Sequence, residues 1–338
     1  MSRKRSQGSP TLRDVAELSG VHASTVSRAL DERRRGVVRA EVVAAVTEIA
    51  RRIGYRPNRA ASSLRTGRTH TLGVLVPDIT NPVFPSILQG IEACAAANGF
   101  FVLVANVGSE ALVQPVLDRM LSQRVDGVLL ATAARSDPAV DFLLANRLHA
   151  VLINRTDDSG RLSCVVSDDH LAMRLAVDHL VDRGCKRIAH LAGPQSLSTG
   201  IGRLQGFEAA LRAHRTKPAG IASCAAYSRD AGRAAALDLL ERRRDVDGLV
   251  CCNDLVALGA YDALRELKLR VPHDVRVTGH NDMPLVDMVD PPLTTVRLPH
   301  GELGWRATQL LLEAMDGRQL SPARVVLRPE LVVRASTT

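Results

Sequence analysis

The chain has 338 residues, 46% of them hydrophobic and only 3% aromatic, with a formal net charge of +8. That length accommodates a small domain and larger ones with real cores, while so few aromatics speak against a stacking platform for single-stranded nucleic acid. No apolar run follows the basic start and none reaches 18 residues, so export and membrane insertion are not expected and the cytoplasm is the expected location.

The charge is unevenly placed. Residues 1–68 hold 15 Lys and Arg against 6 Asp and Glu, a net of +9, which leaves −1 for the other 270 residues. A head that carries the whole excess suits a polyanionic partner.

Within that head, Thr11 is placed to cap a first helix with Asp14 three residues on, a capping-box pattern. Leu12, Val15 and Ala16 give this helix an apolar face, and Gly20 supplies a tight turn. A second helix puts Val26, Ala29 and Leu30 inward and Ser24, Ser27 and Arg28 outward. A third apolar stripe runs through Val42, Val43, Val46, Ile49, Ala50 and Ile53. An ordinary three-helix bundle would share these stripes. The cap, the Gly turn and the neutral-to-basic outer face together read as a helix-turn-helix.

Behind the head, Pro57 and Gly67 bracket Arg59–Leu64, long enough for barely two helical turns and marginal alone in water. After Thr69 strands and helices alternate. Strands are predicted at 72–76, 100–104, 127–131, 151–153, 164–166, 187–191, 249–252, 275–278 and 294–296. Helices are predicted at 86–97, 113–121, 171–183, 203–213, 231–242, 255–267 and 304–315, and a strand-like run at 330–334. This alternation predicts parallel sheets covered on both faces, and the length fits two of them.

Chemistry-bearing motifs are few. Cys94, Cys164, Cys185, Cys224, Cys251 and Cys252 show no Cys-x-x-Cys and no metal spacing, so no metal site is expected. Cys251 and Cys252 invite a redox role, although a reduced pair in a strand is the simpler reading. Gly200, Gly202 and Gly206 follow a strand, but their Gly-x-Gly-x-x-x-Gly spacing is one residue too long for a dinucleotide loop. Without a nucleophile elbow or paired carboxylates, neither catalysis nor a cofactor is expected. A solute-binding protein would share the core but not the basic head.

Several spaced motifs resemble the LacI/GalR transcriptional regulators over nearly the whole chain: Thr25–Leu30, Gly54–Asn58, Leu72–Asp78, Asn81–Phe84, Arg203–Phe207, Asn253–Gly259 and Pro291–Val296. The resemblance implies a small all-α helix-turn-helix DNA-binding domain (1–57), a hinge helix and linker (58–69), and an α/β core of two doubly wound parallel-sheet subdomains (70–338). The N-subdomain is expected at about 70–167 and 298–323, and the C-subdomain at about 168–297 and 324–338. A homodimer on double-stranded, pseudo-palindromic operator DNA is implied. No leucine heptad trails the chain, so a coiled-coil tetramer is not expected.

By the same resemblance, Ala23 and Ser24 are specificity positions with Arg28 beside them, and Arg can pair bidentately with guanine. Thr25, Ser27 and Asn58 suit phosphates, and His22 suits either phosphate or base edge. Thr11, Tyr55 and Arg59 complete the DNA set, with Leu64 as a minor-groove wedge and Ala61 packed beside it. In the core the resemblance implies a small sugar, sugar acid or polyol as effector, bound by Phe84, Asn154, Thr199, Arg203, Tyr227, Asn253 and Asn281. An inducer that releases a repressor is expected; a corepressor is the alternative.

Three departures stand out. Asn281, in Gly-His-Asn-Asp, replaces the acid common at that position, and Asn154 replaces a usual Asp. The turn Asp31–Gly36 is about two residues longer than usual and carries Arg33, Arg34 and Arg35.

Overall fold

The computed structural model describes residues 10–30, 35–56, 68–319 and 321–338. The chain divides into two compact units, Met1–Thr69 and His70–Thr338.

The first unit contains α1 (Leu12–Ser19), α2 (Ala23–Ala29) and α3 (Ala40–Ile53). Thr11 forms the capping box with Asp14, and Gly20 ends α1 at φ 66°, a left-handed conformation that costs glycine least. Val15, Val26, Ala29, Val46 and Ala50 close the core, with Leu12, Leu30, Ile49 and Tyr55 packed around it. The expected apolar stripes therefore meet as one small core. Asp31–Arg34 lie outside the described residues; Arg35 opens a single 3₁₀ turn, Arg35–Val37. Asn58, Arg59, Ala61 and Leu64, and the short helix expected around them, also lie outside the described residues.

The second unit holds two six-stranded sheets. The first comprises β1 (Thr71–Val76), β2 (Phe101–Asn106), β3 (Gly127–Leu130), β4 (His149–Ile153), β5 (Ser163–Ser167) and β11 (Arg324–Leu327), in the order β11-β5-β4-β3-β1-β2. All its neighbours are parallel. Its helices are α4 (Val83–Ala97), α5 (Val113–Ser122), α6 (Pro138–Ala145) and α11 (His300–Met315). The second sheet comprises β6 (Ile188–Ala192), β7 (Gly220–Ser223), β8 (Gly248–Cys251), β9 (Arg276–Asn281), β10 (Thr294–Arg297) and β12 (Glu330–Val332), in the order β12-β10-β9-β8-β6-β7. Only β12 runs antiparallel, against β10. Its helices are α7 (Asp169–Asp182), α8 (Ser198–Ala213), α9 (Arg229–Arg242) and α10 (Asp254–Glu266).

Successive strand residues feed opposite cores, as the two-residue period requires. Leu129 joins one face of the first sheet, while Val128 and Leu130 join the other. Leu249 and Val250 divide the same way in the second.

One expected boundary moves. Arg324–Leu327, expected in the C-subdomain, lies in the first sheet: Arg324 pairs with Cys164 and Leu327 with Ser167. The chain therefore returns to the second sheet only after Leu327. The cause is local: β11 needs a parallel partner, and β5 offers the open edge of the first sheet. The glycines of 200–206 also find a structural reason. They sit inside α8, where a Cβ on Gly200 would lie 2.0 Å from the Pro194 carbonyl oxygen and one on Gly206 2.9 Å from His170 Cα. All six cysteines are free and buried.

Candidate functional site

In the first unit α2 is seven residues long, and its N-cap is a histidine. His22 Nδ1 accepts the Ser24 amide at 3.2 Å and lies 2.8 Å from Ser24 Oγ. The ring thus satisfies an orphan amide and fixes the Ser24 hydroxyl. Ser24 and Arg28, one turn apart, are exposed; Ala23, Thr25 and Ser27 are half-buried beside them. The Thr11 hydroxyl is engaged by Asp14, donating to Oδ2 at 2.8 Å and accepting from the amide at 3.4 Å. Tyr55 packs onto the core, and burial raises its hydroxyl pKa. Arg13, Arg39, Arg51, Arg52 and Arg56 are exposed around these helices.

In the second unit, polar side chains gather beyond the carboxyl ends of the parallel strands, where α/β sheets form ligand crevices. Arg203, 4% exposed, stands on α8. Its Nε donates to Asp169 Oδ1 at 2.9 Å, its Nη1 donates to the Cys252 carbonyl at 2.7 Å, and its guanidinium lies 5.7 Å from the centre of the Tyr227 ring. Thr199 and Tyr227 share a hydroxyl–hydroxyl bond of 2.9 Å. Tyr227 packs where Gly193 has no side chain: a Cβ there would meet the ring at 2.6 Å. Burial pushes the Tyr227 hydroxyl up to about 12 and raises the Asp169 carboxyl, which the Arg203 charge partly pulls back.

Three imidazoles join this group. His190 on β6 stacks on Phe207 with ring centres 4.7 Å apart, and its Nδ1 lies 2.8 Å from the Val250 carbonyl. That carbonyl can only accept, so Nδ1 carries the proton and Nε2 presents a lone pair. His280 on β9 places Nε2 3.8 Å from Asp169 Oδ1. His300 opens α11. Burial brings His190 and His300 down to about 4 and His280 well below the ordinary range, so all three are neutral at pH 7. His190 Nε2, both His280 ring nitrogens, His300 Nε2, Thr278 Oγ1 and Arg155 Nε are buried without a partner. Buried polar atoms are almost always paired, so this concentration marks a place where a ligand would supply the missing bonds.

The remaining expected residues are distributed around the group. Asn253, 2% exposed, caps α10 by accepting the Val256 amide at 2.8 Å, so its carbonyl is already committed. Asn154 follows β4 at φ 64°, and Asn281 ends β9 at φ 121°. Such strain costs about 1–3 kcal/mol per residue and collects at functional sites. Phe84, 3% exposed, is packed into the core of the first sheet and makes no hydrogen-bonded link to Arg203 or Tyr227. Asp169, Arg155, His190, His280 and His300 were not singled out by sequence reasoning. A histidine inside an otherwise apolar strand, as in Ile-Ala-His-Leu-Ala, was the available signal. Among the described residues, no cluster of His, Cys, Asp and Glu is arranged to hold a metal.

Residues 11–58 match the model for bacterial regulatory proteins, lacI family, and residues 177–337 match a periplasmic binding protein-like domain. The chain is 32% identical over 328 residues to the ribose operon repressor of Halalkalibacterium halodurans, covering 97% of each. The chain belongs to the LacI family of bacterial regulatory proteins. This LacI-family chain is also 34% identical over 344 residues to the HTH-type transcriptional regulator CelR of Thermobifida fusca, covering 99% of the chain and 100% of CelR. Among solved structures it resembles a CelR–cellobiose complex with a TM-score of 0.76 at 32% identity, covering 97% of this chain and 99% of that one. It resembles the lac repressor dimer bound to operator and the anti-inducer ONPF with a TM-score of 0.86 at 27% identity, covering 98% and 99%. The family assignment makes this LacI-family protein a DNA-binding transcriptional regulator with a helix-turn-helix head and a periplasmic-binding-protein-like core. Among its described residues no helix is long and apolar enough to cross a membrane.

Proposed function

We propose that this protein is a cytoplasmic repressor that binds a pseudo-palindromic operator as a homodimer and is released by a small sugar, sugar acid or polyol. The observation that carries this reading is the group of unpartnered buried polar atoms around Arg203, in a chain whose other unit is a helix-turn-helix. Thr199, Arg203, Tyr227, Asn253 and Asn281 line the effector site, with Asn154 and Phe84 on the side of the first sheet. Ser24, Ala23 and Arg28 read base edges; His22, Thr25, Ser27, Thr11, Tyr55, Asn58 and Arg59 position the head on phosphates. Leu64 and Ala61 act at the central minor-groove step, where an apolar wedge couples the core to DNA.

Dimerisation is supported by β2, the edge strand of the first sheet, which leaves Phe101, Leu103 and Val104 exposed. An apolar edge of this kind is normally covered. The relatives are named as regulators of transcription, and this reading assigns the chain no catalytic step and no cofactor.

The test is gel-shift binding to DNA upstream of the protein's own neighbouring genes, with and without candidate ligands. Binding at low salt that a ligand weakens is expected. Binding that a ligand tightens would make the effector a corepressor, and no binding in any effector state would end the regulator reading at this DNA.

A further inference from the structure

The charge in the cleft does not balance. Arg203 has Asp169 as its carboxylate. Arg155, two residues past the end of β4, has none within ion-pair distance among the described residues, and its buried Nε has no hydrogen-bond partner. It stands in the same group: the next residue, Thr156, donates its amide to Ser198 Oγ at 2.9 Å at the start of α8, and Thr199 follows with its bond to Tyr227. Burial weakens the charged form of Arg155, and the Tyr227 and Arg203 groups also act on it.

Among the described residues, none of the nearby carboxylates pairs with Arg155. Asp157 accepts from the Ser159 amide through Oδ2, and its buried Oδ1 has no hydrogen-bond partner; Asp158 pairs with Arg135, Asp168 caps α7 through the Leu171 amide, and Asp282 pairs with Arg297 and Arg334. Asp254 is held by Thr295 and the Met283 amide. The other polar groups at the strand ends, Asn154, Asn281 and the three imidazoles, carry no charge at pH 7. Two guanidiniums therefore face one carboxylate.

We propose that the ligand of this cleft is an anion, a sugar derivative carrying a carboxylate or a phosphate, whose charge Arg155 receives with Arg203 beside it. This rests on the reading of the cleft as the effector site, and it narrows that reading. A guanidinium whose Nε is buried without a partner is costly, and a carboxylate or phosphate offers its fork charge-assisted, bidentate bonds that a hydroxyl cannot match. The first turn of α8 adds to this: its N-cap, Leu197, has no side-chain acceptor, and the amide end of a helix favours negative charge. The unprotonated imidazole nitrogens then accept from the sugar hydroxyls.

The test is calorimetric titration of the full chain, without DNA, against three matched pairs: D-gluconate and D-glucitol, D-glucuronate and D-glucose, D-ribose 5-phosphate and D-ribose. The anionic member of at least one pair should bind tenfold or more tightly than its neutral partner, and the pairs separate carboxylate from phosphate. Arg155→Gln should abolish that preference. Asn154→Asp, which sets a carboxylate beside Arg155 without removing it, should lower the ratio of anion to neutral-partner affinity at least tenfold. Neutral members binding as well as the anions, or none of the six binding, would overturn the proposal. The regulator reading is judged separately: operator release by a neutral sugar keeps it while ending this inference, and anion binding without operator binding in any state does the reverse.

Discussion

The hydroxyl of Thr199, in the first turn of α8, lies 2.9 Å from the phenol oxygen of Tyr227, which stacks over Gly193. Two segments far apart in sequence are thereby held together beside Arg203. Tyr227→Phe should cost about 1 kcal/mol of stability, the net worth of a hydrogen bond. Gly193→Ala should cost about 1–3 kcal/mol, because the new Cβ forces the ring out of place, and it should weaken ligand binding more than Tyr227→Phe does. Thermal melts with ligand titration of both variants decide this; an unperturbed Gly193→Ala protein would show that the ring is free to move.

Removing the Asp169 carboxylate leaves the Arg203 guanidinium buried and unpaired. Asp169→Ala should therefore destabilise the chain by about 3–5 kcal/mol. The urea midpoint should fall while the slope of the transition is unchanged. A midpoint within error of the parent would mean that water reaches Arg203 freely.

Acid should weaken the second unit below pH 6.5. His190 and His300 titrate at about 4 in the folded chain against 6.5 ordinarily, and His280 is moved the same way. Unfolding therefore takes up protons between pH 6.5 and 4, and stability falls as pH falls through that window. Each shift to about 4 is worth about 3 kcal/mol. Asp254, raised to about 6 by burial, acts in the opposite sense: its stability is present below 3.8 and lost as pH rises through 6. Asp169 is raised likewise, but three imidazoles against two carboxyls set the net direction. Denaturant titrations from pH 7 to 4 should show the decline, and His190→Gln should flatten it. Stability rising on acidification would be the contrary result.

The histidine cap of α2 gives a test in the first unit. His22→Ala should destabilise that helix by about 1 kcal/mol and lower operator affinity by releasing Ser24 from its fixed position. His22→Asn restores a capping side chain and should recover part of the affinity. Equal affinities for the two variants would separate the cap from DNA binding.

On β2, Phe101 is 54% exposed. Phe101→Asp should shift the chain from dimer to monomer in sedimentation velocity and lower operator affinity, with little change in the stability of the second unit. A variant that remains dimeric would move the interface elsewhere.

Periodicity and punctuation carried most of the architecture. Thr11, Asp14 and Gly20 announced α1 with its turn, and the alternation after Thr69 announced the sheets. Three elements escaped: β7 and β11 are four residues long with half-exposed faces, and α6 is only eight residues. Such short elements are stabilised by their neighbours rather than by their own pattern. Motif resemblance brought out Thr199, Arg203 and Tyr227, which the fold does bring together. It missed Asp169 and the imidazoles because a buried polar residue betrays itself only through its surroundings, which a linear sequence lacks.

Between Leu327, the last residue of β11, and Glu330, the first of β12, there are two residues, Arg328 and Pro329. They join strands of different sheets, and two extended residues span about 7 Å. The proline ring also fixes one of the few torsions available. A connection this short keeps the end of β11 within reach of the start of β12, so the two sheets cannot draw apart at that point whatever else in the core rearranges.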